Sequence, residues 1–154
     1  MTDLKMSESI HVAAPPEVLY EMVSDVTRMG DWSPICRACW WDEGDGPCVG
    51  AWFTGRNVTP EQTWETRSQV VAADPGREFA WEVNGGWVYW GYTFEPADGG
   101  TKMTEHWELR PVGVEGFREH FGDRADEEIA ARREAARTGI PATLAAIKAA
   151  AERG

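Results

Sequence analysis

Apolar and polar residues alternate over positions 6–12, with Met6, Glu8, Ile10 and Val12 on one face and Ser7, Ser9 and His11 on the other. A period of two is the period of a strand. Ala13-Ala14-Pro15-Pro16 ends it, and proline suits the first turn of a helix. Val18, Leu19, Met22, Val23 and Val26 then recur at 3.6 spacing, which predicts a short amphipathic helix to about residue 23. Asp25 is placed to cap a second short helix ending near Gly30. Trp32-Ser33-Pro34 reads as extended, because the residue before a proline avoids the α region.

From 36 to 110 the period remains two. Segments 36–42, 50–58, 62–73, 77–84, 87–96 and 101–110 are separated by Gly44-Asp45-Gly46-Pro47, Thr59-Pro60, Asp74-Pro75-Gly76, Asn84-Gly85-Gly86 and Asp98-Gly99-Gly100. Connections this short predict a meander of antiparallel hairpins. Phe79, Trp81 and Val83 share a face, as do Trp90, Tyr92 and Phe94, and Met103, Glu105, Trp107 and Leu109. One face of the sheet is therefore apolar and the other solvated.

The C-terminal part supplies a cover for that face. Positions 126–152 are rich in the helix formers Ala, Glu, Arg and Lys, and Ile129, Ala136, Ile140, Leu144, Ile147 and Ala151 trace one stripe. Gly139 and Pro141 predict a kink or break in this helix. Phe117 and Phe121 fall in a less regular segment before it. The whole of 1–154 reads as one α+β domain: a strongly bent antiparallel sheet of about seven strands around a long C-terminal helix, with two short helices after the first strand. A helix lying in such a concavity need not fill it, and the gap left over is a natural ligand cavity.

Composition changes this picture in one respect. Leu, Ile, Val and Phe make up only 26 of 154 residues and the net charge is −11, a pairing that by itself suggests disorder. Nine tryptophans reverse that inference, since each aromatic ring can bury ~150–250 Å². Residues 1–114 carry almost all of the negative charge, with 18 acids against 8 bases. So acidic a surface repels phosphate backbones and anionic bilayers, which excludes nucleic acid and membrane surfaces as expected partners. No apolar run approaches the ~18 residues of a bilayer span, and the first residues lack a signal-peptide core. Three cysteines, an odd number, fit a reducing compartment, so a cytoplasmic location is expected.

The candidate chemistry is sparse. Cys36, Cys39 and Cys48 are one ligand short of a structural zinc site, and in a regular strand Cys36 and Cys39 point to opposite faces; they read as buried, inert thiols, with no metal. His11 and His106 fall on the outward faces of their strands, and only His120 lies near the helix entrance. No nucleophilic triad and no phosphate-cradling glycine loop is present. Glu105 is the informative residue, because its parity sets a carboxylate among Met103, Trp107 and Leu109, where it needs a partner or a proton. Asn57 shares the inward parity of Phe53, and Thr66 that of Trp64. Asn57, Thr66, Tyr92 and Glu105 are thus the candidate polar groups of a cavity, or else a buried structural network. Phe53, Trp64, Trp81, Trp90, Phe94 and Trp107 are its candidate aromatic walls, and Ile140 and Leu144 its candidate contacts from the helix. Few aliphatic side chains are available to pack between these rings, and the facing helix is mostly alanine.

Ser9-Ile-His-Val-Ala-Ala-Pro-Pro-Glu-Val18, Ser24-Asp25-Val26 with Trp32-Ser33-Pro34, and Gly50-Ala-Trp-Phe-Thr-Gly-Arg-Asn57 occur in that order. Trp64, Pro75-Gly-Arg-Glu-Phe-Ala-Trp81, Gly100-Thr-Lys-Met-Thr-Glu105 and Thr143-Leu-Ala-Ala-Ile-Lys148 follow them. Together these segments resemble the START-like superfamily, within it the bacterial polyketide cyclase/dehydrase and lipid-transport group, over nearly the whole chain. The resemblance implies the helix-grip fold, and no cofactor is expected. It implies no fixed catalytic motif either, since this fold serves several activities. The expected function is binding or transport of a hydrophobic or aromatic small molecule, lipid or polyketide-like, by a monomer or weak homodimer. One alternative is a cyclase/dehydratase-type enzyme with Glu105 as general acid or base and Asn57 or Tyr92 polarising a carbonyl. Another is an interaction module that works without a ligand.

Overall fold

In the computed structural model, residues 4–42 and 46–153 are described. The expected Gly44-Asp45 turn and the first three residues lie outside them. The strands are β1 (Lys5–Val12), β2 (Cys36–Trp41), β3 (Trp52–Val58), β4 (Thr63–Asp74), β5 (Glu78–Val83), β6 (Val88–Ala97) and β7 (Gly100–Leu109). They form one antiparallel sheet in the order β1-β7-β6-β5-β4-β3-β2, so a six-strand meander is closed at one edge by the first strand. The turn clusters do what their residues allow: Asn84, Gly85 and Gly86 all adopt positive φ, as do Asp98 and Gly99.

After β1 the chain forms α1 (Pro16–Ser24), opened by proline in its first turn, and a 3₁₀ helix (Val26–Asp31). The Asp25 side chain accepts the Thr27 N–H at 3.2 Å, which is the expected cap. Leu19, Tyr20 and Val23 turn inward, and the Tyr20 ring meets Phe79 and Phe94 edge-on.

Two expectations about the C-terminal part are corrected. The segment holding Phe117 and Phe121 is a regular helix, α2 (Pro111–Phe121), again started by proline. Gly113 and Gly116 depress its intrinsic propensity, but they let it dock on Trp87: a Cβ at Gly116 would overlap the Trp87 ring. After a short 3₁₀ turn (Gly122–Arg124), α3 (Ala125–Arg153) runs unbroken through Gly139 and Pro141. Pro141 is exposed, as is Arg137 four residues before it, so water can satisfy the carbonyl left without a partner.

The C-terminal half of α3 packs on β1 and is tied there by polar contacts. Lys148 donates to the His11 carbonyl at 2.8 Å, and Glu152 accepts the Ala13 N–H at 2.9 Å. Val12, Met103, Ile140, Leu144 and Ile147 are almost fully buried at this end. Among the described residues no helix is long and apolar enough to cross a membrane.

Candidate functional site

The N-terminal half of α3, α2 and strands β2–β7 enclose a cavity of about 860 Å³. It exists because one half of the sheet's concave face is closed by α1 and the end of α3, while the other is faced by Ala131, Ala135, Ala136 and Gly139. Small residues opposite large rings leave space. Nine of the twelve side chains singled out above line it: Phe53, Asn57, Trp64, Thr66, Trp81, Trp90, Tyr92, Glu105 and Trp107. Phe94, Ile140 and Leu144 do not. They are buried at the closed end, where α1 reaches the sheet, and this corrects their placement on the cavity wall.

The walls are aromatic by strand periodicity. Trp81 and Trp90 are direct cross-strand partners and stack with ring centres 6.5 Å apart, and Phe53 meets Trp81 at 5.8 Å. Asn57 and Thr66 satisfy each other, with Asn57 Nδ2 donating to Thr66 Oγ1 at 3.3 Å and to the Trp64 carbonyl at 3.4 Å.

Glu105 is different. It stands opposite Tyr92 in the β6–β7 ladder and is 4% exposed. Burial pushes its carboxyl up to about 8, against the opposing effect of a hydrogen bond from Tyr92. Burial and the neighbouring carboxyl likewise raise the Tyr92 phenol. Among the described residues, Glu105 Oε1 has no hydrogen-bond partner. A buried polar atom left open in a cavity wall is a point of attachment awaiting a polar group.

The mouth lies between the β3–β4 hairpin and the α2–α3 corner. Arg132 spans it, its guanidinium 4.6 Å from the Trp64 ring centre and 5.6 Å from that of Phe117, with a 3.0 Å ion pair to Glu128. His120 stands at the same rim, edge-on to Phe121. His106 is on the outer face of the sheet and half-buried, with Nε2 3.1 Å from Thr93 Oγ1, while His11 bonds the Ala97 carbonyl. Neither histidine reaches the cavity.

Two statements about the cysteines are corrected. A bulge in β2 between Cys36 and Ala38 turns Cys36 and Cys39 to the same side, with the sulfurs 3.5 Å apart, and both line the cavity. Cys48 is exposed rather than buried. Among the described residues no three His, Cys, Asp or Glu side chains gather as metal ligands.

Several lining residues escaped the sequence. Phe117 and Phe121 arrive through α2, whose two glycines hid a 117/121 helical spacing that was there to be read, and Trp87 comes from the turn between β5 and β6. Met29 comes from a 3₁₀ helix too short to show a periodic face, and Pro34 from the irregular chain after it. Arg132 is a charged residue on a polar helix, and nothing local marks it as part of the cavity wall.

Residues 3–152 match the family model described as polyketide cyclase / dehydrase and lipid transport. A comparison with curated proteins finds none that matches. Among solved structures, the chain is 56% identical to the Polyketide_cyc-like protein of Corynebacterium glutamicum, determined by NMR in solution. That alignment covers 96% of this chain and 90% of the other, with a TM-score of 0.69. The di-domain ARO/CYC StfQ from the steffimycin biosynthetic pathway is 17% identical over 97% of this chain and 51% of its own, with a TM-score of 0.72. A Chromobacterium violaceum protein is 17% identical over 97% and 99% of the two chains, with a TM-score of 0.70. The last two likenesses concern the fold.

Proposed function

Because the chain belongs to the polyketide cyclase / dehydrase and lipid transport family, we propose that it binds a hydrophobic or aromatic small molecule of lipid or polyketide kind in the cavity under α3. The observation that carries this reading is the combination of aromatic walls with one open polar atom, Glu105 Oε1, at the floor. The volume suits a drug-sized ligand, and a predominantly apolar lining with few polar groups is the usual make-up of a small-molecule site. With its carboxyl at about 8, Glu105 is neutral at pH 7, so the floor presents an O–H to an oxygen of the ligand rather than a charge. The ligand that fits is thus apolar along its length and carries a carbonyl or hydroxyl at its buried end. Arg132 can swing from Trp64 to admit it.

A second reading, a cyclase/dehydratase-type enzyme, draws on the same residue. A carboxyl poised near 8 beside a phenol is suited to proton transfer at a substrate carbonyl. His11 and His106 lie away from the cavity, and His120 stands at its rim.

Native mass spectrometry of the purified protein and titration with an aromatic dye or a fatty acid test both readings. Saturable quenching of tryptophan emission at one site per chain is expected. Glu105→Gln should retain binding if the protein is a carrier, and lose about two to four orders of magnitude of turnover on the true substrate if it is an enzyme. Absence of any saturable apolar ligand would sink both.

A further inference from the structure

At the β2 end of the cavity three sulfur atoms converge. Cys36 Sγ lies 3.5 Å from Cys39 Sγ, which lies 3.9 Å from Met29 Sδ. Both thiols are buried, and all three side chains border the cavity. The convergence is built rather than incidental. The β2 bulge brings two cysteines three residues apart onto one side, and Ser33 Oγ accepts the Cys36 N–H at 3.0 Å, fixing where the strand starts. Gly55 faces the pair across the β2–β3 ladder. A Cβ there would stand 3.2 Å from Cys39 Sγ and 3.3 Å from Cys36 Sγ, so glycine keeps open a position nearly equidistant from the two sulfurs.

We propose that Cys36, Cys39 and Met29 form a three-sulfur site for a soft monovalent cation, copper(I). Two thiolates and a thioether are the soft donors that select this ion. Three sulfurs about 2.3 Å from one metal stand about 4 Å apart, close to the 3.5 Å and 3.9 Å that Cys39 Sγ already keeps from Cys36 Sγ and Met29 Sδ. As each of the two cysteine–metal bonds forms, its thiol proton passes to solvent, whereas the Met29 thioether binds without losing a proton; the bound centre carries one net negative charge. Zinc is disfavoured, because among the described residues no fourth donor of its kind joins the set. Cys48 is exposed and takes no part in the three-sulfur contact.

The test is titration of the reduced protein with copper(I) in competition with a chromogenic copper(I) chelator, together with X-ray absorption at the copper edge. One copper per chain is expected, with three sulfur neighbours at about 2.2–2.3 Å. Cys48→Ala should bind as the unsubstituted protein does. Cys36→Ser and Cys39→Ser should each weaken binding by at least about 100-fold, and Met29→Leu by about 10-fold with one sulfur lost from the absorption spectrum. Gly55→Ala, which keeps all three donors and fills the space between them, should weaken binding as well. Retention of copper by the Cys36→Ser/Cys39→Ser double variant, loss of it in Cys48→Ala, or a spectrum of nitrogen and oxygen neighbours would overturn the proposal. If the serine variants fail to fold, the spectrum of the unsubstituted protein and the Cys48→Ala titration still decide it.

Discussion

Glu105 shows how one residue couples the site to the stability of the chain. Its carboxyl titrates at about 8 in the folded protein and near the ordinary 4.5 once unfolded, because burial among Trp107 and its neighbours disfavours the charge. The native state therefore holds a proton that the unfolded chain gives up. The resulting stabilisation is complete below about pH 4.5 and is lost as pH rises through about 8. Glu105→Gln has no proton to lose, keeps the shape, and still offers Tyr92 an acceptor. Its stability relative to the parent should be flat below about pH 4.5 and should climb with pH above it, reaching on the order of a few kcal/mol by about pH 8.5. Urea unfolding of the two proteins at several pH values checks this, and a difference that does not change with pH would remove the buried carboxyl from the account. Tyr92 explains why the residue is not simply an apolar one. Its hydroxyl bonds Glu105, so replacing the carboxyl by Leu would take that partner from a buried phenol.

Helix α2 decides the shape of the cavity mouth, and it is held by glycines. On propensity alone Gly116→Ala should strengthen the helix by about 1 kcal/mol. The added methyl would overlap the Trp87 ring, so the packing term has the opposite sign and should prevail at about 1–3 kcal/mol of net destabilisation. Chemical denaturation monitored by tryptophan emission distinguishes the two signs, and a stabilised variant would show that α2 does not rest on Trp87. The same helix marks the boundary of what the chain's pattern discloses. Strands β5, β6 and β7 pair without a bulge between β5 and β6 or β6 and β7, so simple parity sets Tyr92, Glu105 and Trp107 on the inner face, where the structure has them. Parity fails in β2, because a bulge inserts one residue and reverses the facing of Cys36 relative to Cys39. In α2 and α3 the local signals, Gly113, Gly116, Gly139 and Pro141, argue against regular helix and are overruled by docking on Trp87 and by solvent at an exposed carbonyl. Ile140 and Leu144 were legible as inward-facing. Whether they faced a cavity or a filled core depended on where α1 packs, a long-range contact that no local pattern carries.

The whole molecule divides along α3 into a filled half and an open half, and the division is what makes the cavity separable from the fold. Toward the C-terminus, Ile140, Leu144 and Ile147 close on β1, α1 and the Phe79–Tyr20–Phe94 ring cluster. Toward the N-terminus, Ala131, Ala135 and Gly139 present almost no side chain to Trp64, Trp81 and Trp90. A large residue should thus have opposite consequences at two sites only nine positions apart on the same helix. Leu144→Trp enters a site that is 2% exposed and already packed, and should cost about 1–3 kcal/mol while leaving the cavity in place. Ala135→Trp enters empty space at a half-buried position, and should leave stability within about 1 kcal/mol of the parent while abolishing saturable binding of an aromatic dye. Paired measurement of unfolding and dye titration on the two variants reads both effects. If Ala135→Trp unfolds the protein instead, the space under α3 is needed for folding and is not a ligand site. If Ala135→Trp folds and still binds the dye, the ligand enters elsewhere and the aromatic walls are core.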